Sequence, residues 1–148
     1  MTDAQIQITS LGPTFEAIGL VLDLLSRHPP FAEYRLARIG AAVRRQLELR
    51  QNVAAVDDAG RLVGYVGWSY ALPASATLWV EDRGPLKVVP NRTEAVALTI
   101  VVSPQGDSIA AMVRQARLLN PGVRVYFKRS YGGDLRSPRK ASIANAGS

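Results

Sequence analysis

Apolar positions recur at helical spacing over residues 14–28, TFEAIGLVLDLLSRH, where Phe15, Ile18, Leu22 and Leu25 form a stripe widened by Val21 and Leu24. That spacing predicts a helix. Pro29 and Pro30 end it, because the residue before a proline resists the helical region. Residues 33–50 start with the same period, Leu36, Ile39 and Val43 sharing a face, but the end of the stretch, RQLELR, fits a strand equally well. Two β-rich runs then flank DDAG within NVAAVDDAGRLVGYVGWSYA (52–71), which predicts a hairpin with a glycine at its turn. Residues 73–92, with prolines at 73, 85 and 90, read as irregular.

The run EAVALTIVVSP (94–104) is apolar at odd and even positions alike, the mark of a strand covered on both faces. After it, Ile109, Met112, Val113 and Ala116 make a helix face, with Asp107 or Ser108 as the N-cap. NPG (120–122) stops that helix, and VRVYFK (123–128) is a further strand. A strand, a crossover helix and a strand imply parallel pairing. The expected fold is α/β, a mixed central sheet with helices packed on it. A single domain is expected over 1–136, with a flexible C-terminal tail over 137–148.

The length of 148 residues suits one domain with a real core. No apolar run approaches the roughly 20 residues of a membrane span, and MTDAQIQITS lacks the features of a secretory signal. A cytoplasmic location is expected. One histidine and no cysteine leave no ordinary zinc ligand set, so no metal site is expected. The net charge is +6. Five arginines lie within 35–50 and eight basic residues within 114–140, a balance that points to an acidic partner.

The order of elements, with SPQGDS linking the buried strand to the next helix, resembles the GNAT acyltransferase fold. There, a helix N-terminus and the preceding loop hold the phosphates of acetyl-CoA. Of the usual glycine-rich pattern only Gly106 is present. A narrower family is closer. LG (11–12), SRH (26–28), GYVGWSYAL (64–72), ED (81–82), VVSPQGD (101–107) and VRVYFKR (123–129) follow in order and spacing over roughly residues 10–130. In that order they resemble the RTX-toxin-activating lysine acyltransferases, the hemolysin-activator family.

That resemblance implies an enzyme that takes a fatty acyl group from acyl carrier protein and places it on internal lysines of a protoxin. It implies His28 as general base, Ser26 as its neighbour at the acyl carbonyl, and Ser103, Gln105 and Gly106 as the donor-binding loop. The donor would be acyl-acyl carrier protein, with no resident cofactor, and the protein would be a homodimer. Ile100 occupies the position of that family's functional aspartate. Read from the residues alone, His28 is equally a C-terminal helix residue facing free carbonyls, and SPQGDS an ordinary strand-to-helix turn. Two alternatives therefore stand beside the first reading: an acetyl-CoA-dependent GNAT N-acetyltransferase, and a catalytically silent basic binding module of the same fold. Nucleic acid ranks last among partners, since no DNA-reading motif is present.

Overall fold

A computed structural model describes residues 5–106, 108–129 and 139–140. The elements follow as β1 (Gln7–Thr9), α1 (Phe15–Ser26), a 3-10 turn (Phe31–Glu33), α2 (Leu36–Glu48), β2 (Asn52–Val56), β3 (Leu62–Ala71), α3 (Pro73–Val80), β4 (Val88–Val89), β5 (Ala95–Val102), α4 (Ile109–Leu118), β6 (Arg124–Arg129) and β7 (Arg139–Lys140). They build one mixed sheet in the order β1-β2-β3-β5-β6-β7, with β4 also paired to β3. All neighbours are antiparallel except β5 and β6, which are joined by the α4 crossover and run parallel.

The expected α/β architecture is present, with some elements settled and others added. The stretch 33–50 resolves as helix through Glu48. Ile39, Val43 and Leu47 are buried, whereas Leu36 lies exposed in the first turn. Part of the segment expected to be irregular is α3. Pro73 occupies its first turn, where a missing N–H costs nothing, and the buried positions Ser75, Ala76 and Val80 are too small to show an apolar stripe. The three-residue strand β1 gave no signal of its own. At α4 the N-cap is Ser108, which makes no side-chain capping bond; Asp107 lies outside the described residues. The expected tail lies outside them too, apart from Arg139 and Lys140, which pair with β6.

Helices cover both faces of the sheet. On one face α4 sets Met112 and Ala116 against Val53, Val66, Trp68, Val96, Leu98, Val125 and Phe127. Gly64 permits this approach, since a Cβ there would lie 2.7 Å from the Met112 methyl and 2.9 Å from Ser108 Oγ. On the other face α1 and α2 bury Val21, Leu24, Leu25, Val43 and Leu47 over Ala54, Tyr65, Ile100 and Val102. Farther along that face α3 packs over Ala71, Ala95 and Tyr126. Tyr65 and Trp68 are thus core residues, on opposite faces of β3.

Local chemistry fixes the ends. Thr14 Oγ1 accepts from the Ala17 N–H (3.0 Å) to cap α1. The hairpin closes on Asp57, whose Oδ1 accepts from the N–H groups of Ala59 and Arg61 (both 2.9 Å), and Gly60 supplies φ +77°. The end of α2 is clamped by Asn52, which is wholly buried. Its Nδ2 donates to the carbonyls of Leu11 (3.0 Å) and Gln46 (3.1 Å), and its Oδ1 accepts from Leu11 N–H (2.7 Å).

Asn52→Ala removes three hydrogen bonds to backbone groups, two of them at Leu11. We expect it to lower the unfolding free energy by about 2–4 kcal/mol, read from denaturant midpoints at unchanged slope.

Candidate active site

Between α2 and α3, over the middle of the sheet, lies a cavity of ≈ 600 Å³. Its floor is Ser69 of β3 with Thr99 and Ile100 of β5; α2 supplies Arg38, Ala41, Ala42 and Arg45, and Trp79 and Leu86 close the far side. On α2 these four positions are spaced as one helix face.

The floor depends on an irregularity in β5. Gly67 of β3 pairs with Ile100, and the next residue, Trp68, pairs with Leu98, so Thr99 is an extra residue in a β-bulge. The bulge reverses the alternation of side chains. Before it, Val96 and Leu98 face α4; after it, Ile100 and Val102 face α1 and α2. Thr99 and Ile100 therefore both reach the cavity. The parallel ladder stops at the same level. Its last pair is Leu98 with Phe127, while β5 runs on to Val102. Beyond Leu98 no residue of β5 pairs with β6 among the described residues.

Gln46 holds the bulge in place. It is 1% exposed, yet both ends of its carboxamide are bonded: Oε1 accepts from the Tyr65 hydroxyl (2.8 Å), and Nε2 donates to Thr99 Oγ1 (3.2 Å). Burial pushes the Tyr65 phenol far above its ordinary pKa, so it remains a neutral donor. With a lone pair of Thr99 engaged by Gln46, the Thr99 hydroxyl hydrogen is available to donate to a molecule in the cavity. The amide lies directly on Gly67, where any Cβ would collide with Gln46 Oε1.

The residues expected at the site divide into two groups, neither of them in this cavity. Ser26 and His28 lie at the end of α1. Ser26 Oγ is exposed and donates back to the Asp23 carbonyl (2.7 Å). The His28 backbone N–H bonds to the Leu25 carbonyl (3.1 Å), and its half-buried ring lines neither cavity. Ser103, Gln105 and Gly106 come together in one turn after β5. Gly106 N–H donates to the Ser103 carbonyl (2.9 Å) at φ +74°, and the hydroxyls of Ser103 and Ser108 are 2.9 Å apart. Gln105 borders a second hollow of ≈ 490 Å³ between α1 and the hairpin. The charges there are mutually satisfied, Arg27 with Asp23 (3.1 Å) and Arg61 with Asp57 (3.0 Å). The N–H of Arg61, foremost among several donors, holds the Asp57 carboxyl below its usual range.

Sequence reasoning missed Gln46, Ser69, Trp79 and Thr99. Only Gln46 carried a signal: a polar residue inside the stripe Ile39, Val43, Leu47.

No protein-family model matches the chain, and no curated protein matches it. Solved structures do. The loading GNATL domain of CurA from Lyngbya majuscula superposes with a TM-score of 0.60 at 11% identity, over 90% of this chain and 71% of that one. A GNAT family acetyltransferase from Brucella melitensis in complex with acetyl-CoA superposes at 0.53 and 13% identity, over 96% and 97% of the two chains. Diaminobutyrate acetyltransferase EctA from Paenibacillus lautus, in complex with its substrate and coenzyme A, does so at 0.53 and 14%, over 86% and 68%. The chain has the GNAT acetyltransferase fold. At such identities the likeness establishes the fold alone and does not reach the narrower RTX-toxin-activating family. The end of the β5–β6 ladder, the loop 103–106 and the α2–α3 cavity lie along one strand, β5.

Gly67→Ala must push Gln46 aside, and we expect a loss of about 1–3 kcal/mol in unfolding free energy. Gly19→Ala, in α1 with open space at its Cβ, is the control and should gain about 0.5–1 kcal/mol. Paired with Gln46→Ala, the Gly67→Ala loss should shrink, the sign of a direct clash in a double-mutant cycle.

Proposed function

We propose that the chain is an acyltransferase that moves an acyl group from a pantetheine thioester to an amine bound in the α2–α3 cavity. The observation that carries this reading is the end of the parallel ladder at the Leu98–Phe127 pair, at the level of the Thr99 bulge. A pantetheine arm lying along β5 there would bring its thioester to the cavity floor. The free amine attacks the carbonyl carbon, the C–N bond forms, and the C–S bond breaks. The sulfur leaves with a proton and the nitrogen loses one. Backbone N–H groups of β5 on the side vacated by β6 would stabilise the developing oxyanion.

Two features support a carrier-protein form of the donor. Pro104 has no N–H and that of Gly106 is taken by Ser103, so the loop suits the single phosphate of a phosphopantetheine arm better than a pyrophosphate. The net charge of +6 complements an acidic carrier. Acetyl-CoA is the competing donor. The acceptor implied by the RTX resemblance, a protoxin lysine, fits less well, because among the described residues the cavity wall carries two arginines and no carboxylate. Presenting acyl carrier protein and acyl-CoA donors side by side to small amines and to a lysine peptide, with products read by mass spectrometry, tests donor and acceptor together. Absence of any acyl adduct would overturn the reading and favour the silent module.

Among the described residues no carboxylate or imidazole lines the cavity, so the neutral fraction of the acceptor amine sets the rate. We expect kcat/KM to rise about tenfold per pH unit up to the pKa of that amine, with His28→Ala unchanged. A pH profile that levels off below the pKa of the amine, and does so only while His28 is present, would instead establish His28 as the base.

A further inference from the structure

We infer that the acceptor carries an acidic group besides its amine, and that Arg45, backed by Arg38, binds it. The inference rests on the transfer reading above and names its substrate class, an amino acid in the broad sense. Arg38 and Arg45 are two turns apart on the cavity face of α2, about 10 Å along its axis, with Ala41 and Ala42 between them. Arg38 is held at the rim, its guanidinium 4.9 Å from the centre of the Tyr34 ring. Arg45 is half-buried and, among the described residues, its guanidinium has no ion pair or hydrogen bond.

Several carboxylates are committed elsewhere: Asp23 to Arg27, Asp57 to Arg61, Glu81 to Arg83 and Asp82 to Lys128. Among the described residues no Asp or Glu lines the cavity. The half-buried guanidinium thus meets no carboxylate of the described residues there, and its planar fork matches a carboxylate bidentately. The donor is not the source of that charge, since no residue of the 103–106 loop, of α4 or of β6 lines the chamber. The opposite part of the chamber is neutral: Ser69 and Thr99 lie on the floor at the bulge, where the amine would meet the thioester. A carboxylate on Arg45 would thus leave the amine pointing to β5.

The test compares each acceptor with the amine left when its carboxyl is removed: glycine with methylamine, 4-aminobutyrate with propylamine, lysine with cadaverine. Binding is followed by ligand-detected NMR and transfer by mass spectrometry, for the wild-type chain, Arg45→Gln and Arg45→Lys, each checked for an unaltered melting curve. We expect at least one acid to be preferred over its amine by about ten- to hundredfold. Arg45→Gln should abolish the preference and Arg45→Lys restore part of it, with the KM for the donor unmoved. Equal use of acid and amine, binding of no acid above its amine, or an Arg45→Gln effect confined to the donor KM would overturn the inference while leaving the transfer reading in place. Acids that bind through Arg45 but are never acylated would uphold the acid-binding site and overturn the transfer reading instead.

Discussion

The Gln46 carboxamide is the contact on which the site depends. It is a polar group sealed between a helix and a sheet, and it satisfies Tyr65 on one strand and Thr99 on the next. Such a pair of bonds adds little net stability, but leaving either partner unmet is costly. The constraint is therefore positional. α2 settles where the amide reaches both strands, over Gly67, a β3 position with no side chain to block it. The extra residue in β5 is bonded there, and the reversal that turns Ile100 and Val102 towards α2 follows from it.

The two faces of the sheet are filled differently. The α4 face is continuous, from Val53 of β2 to Phe127 of β6, with Met112 drawn close by Gly64. The opposite face is shared between α1 and α2 at one end and the short α3 at the other, with separate apolar clusters beneath them. The chamber is the space those two clusters leave. Trp79 is fixed at its border by Lys128, whose ammonium lies 4.8 Å from the ring centre and 2.6 Å from Asp82. This contact ties α3 to β6.

Features with local causes were legible in the sequence. The hairpin announced itself through Asp57 and Gly60, α1 through its stripe and the prolines after it, and the crossover through an apolar run followed by an amphipathic helix. The bulge was not legible, because in VALTIVV nearly every side chain is apolar and a change of parity leaves no trace. α3 was hidden by its small buried residues. The site was harder still. Gln46 and Thr99 stand 53 positions apart, and neither is a residue type that signals chemistry unless the fold brings them together. The conspicuous residues, His28 and the SPQGDS loop, were placed by family likeness; the structure sets them at the end of α1 and beyond β5, outside the chamber.

Ala41 and Ala42 form the wall of the chamber between the two arginines, and neither belongs to an apolar cluster beneath α2. The helix is anchored by other faces, through Ile39, Val43, Gln46 and Leu47. The width of the chamber is thus uncoupled from the foldability of the chain. Substitution at these two alanines could redraw which molecules fit while the scaffold stays intact, a freedom that lets one architecture drift from one acceptor to another by single steps.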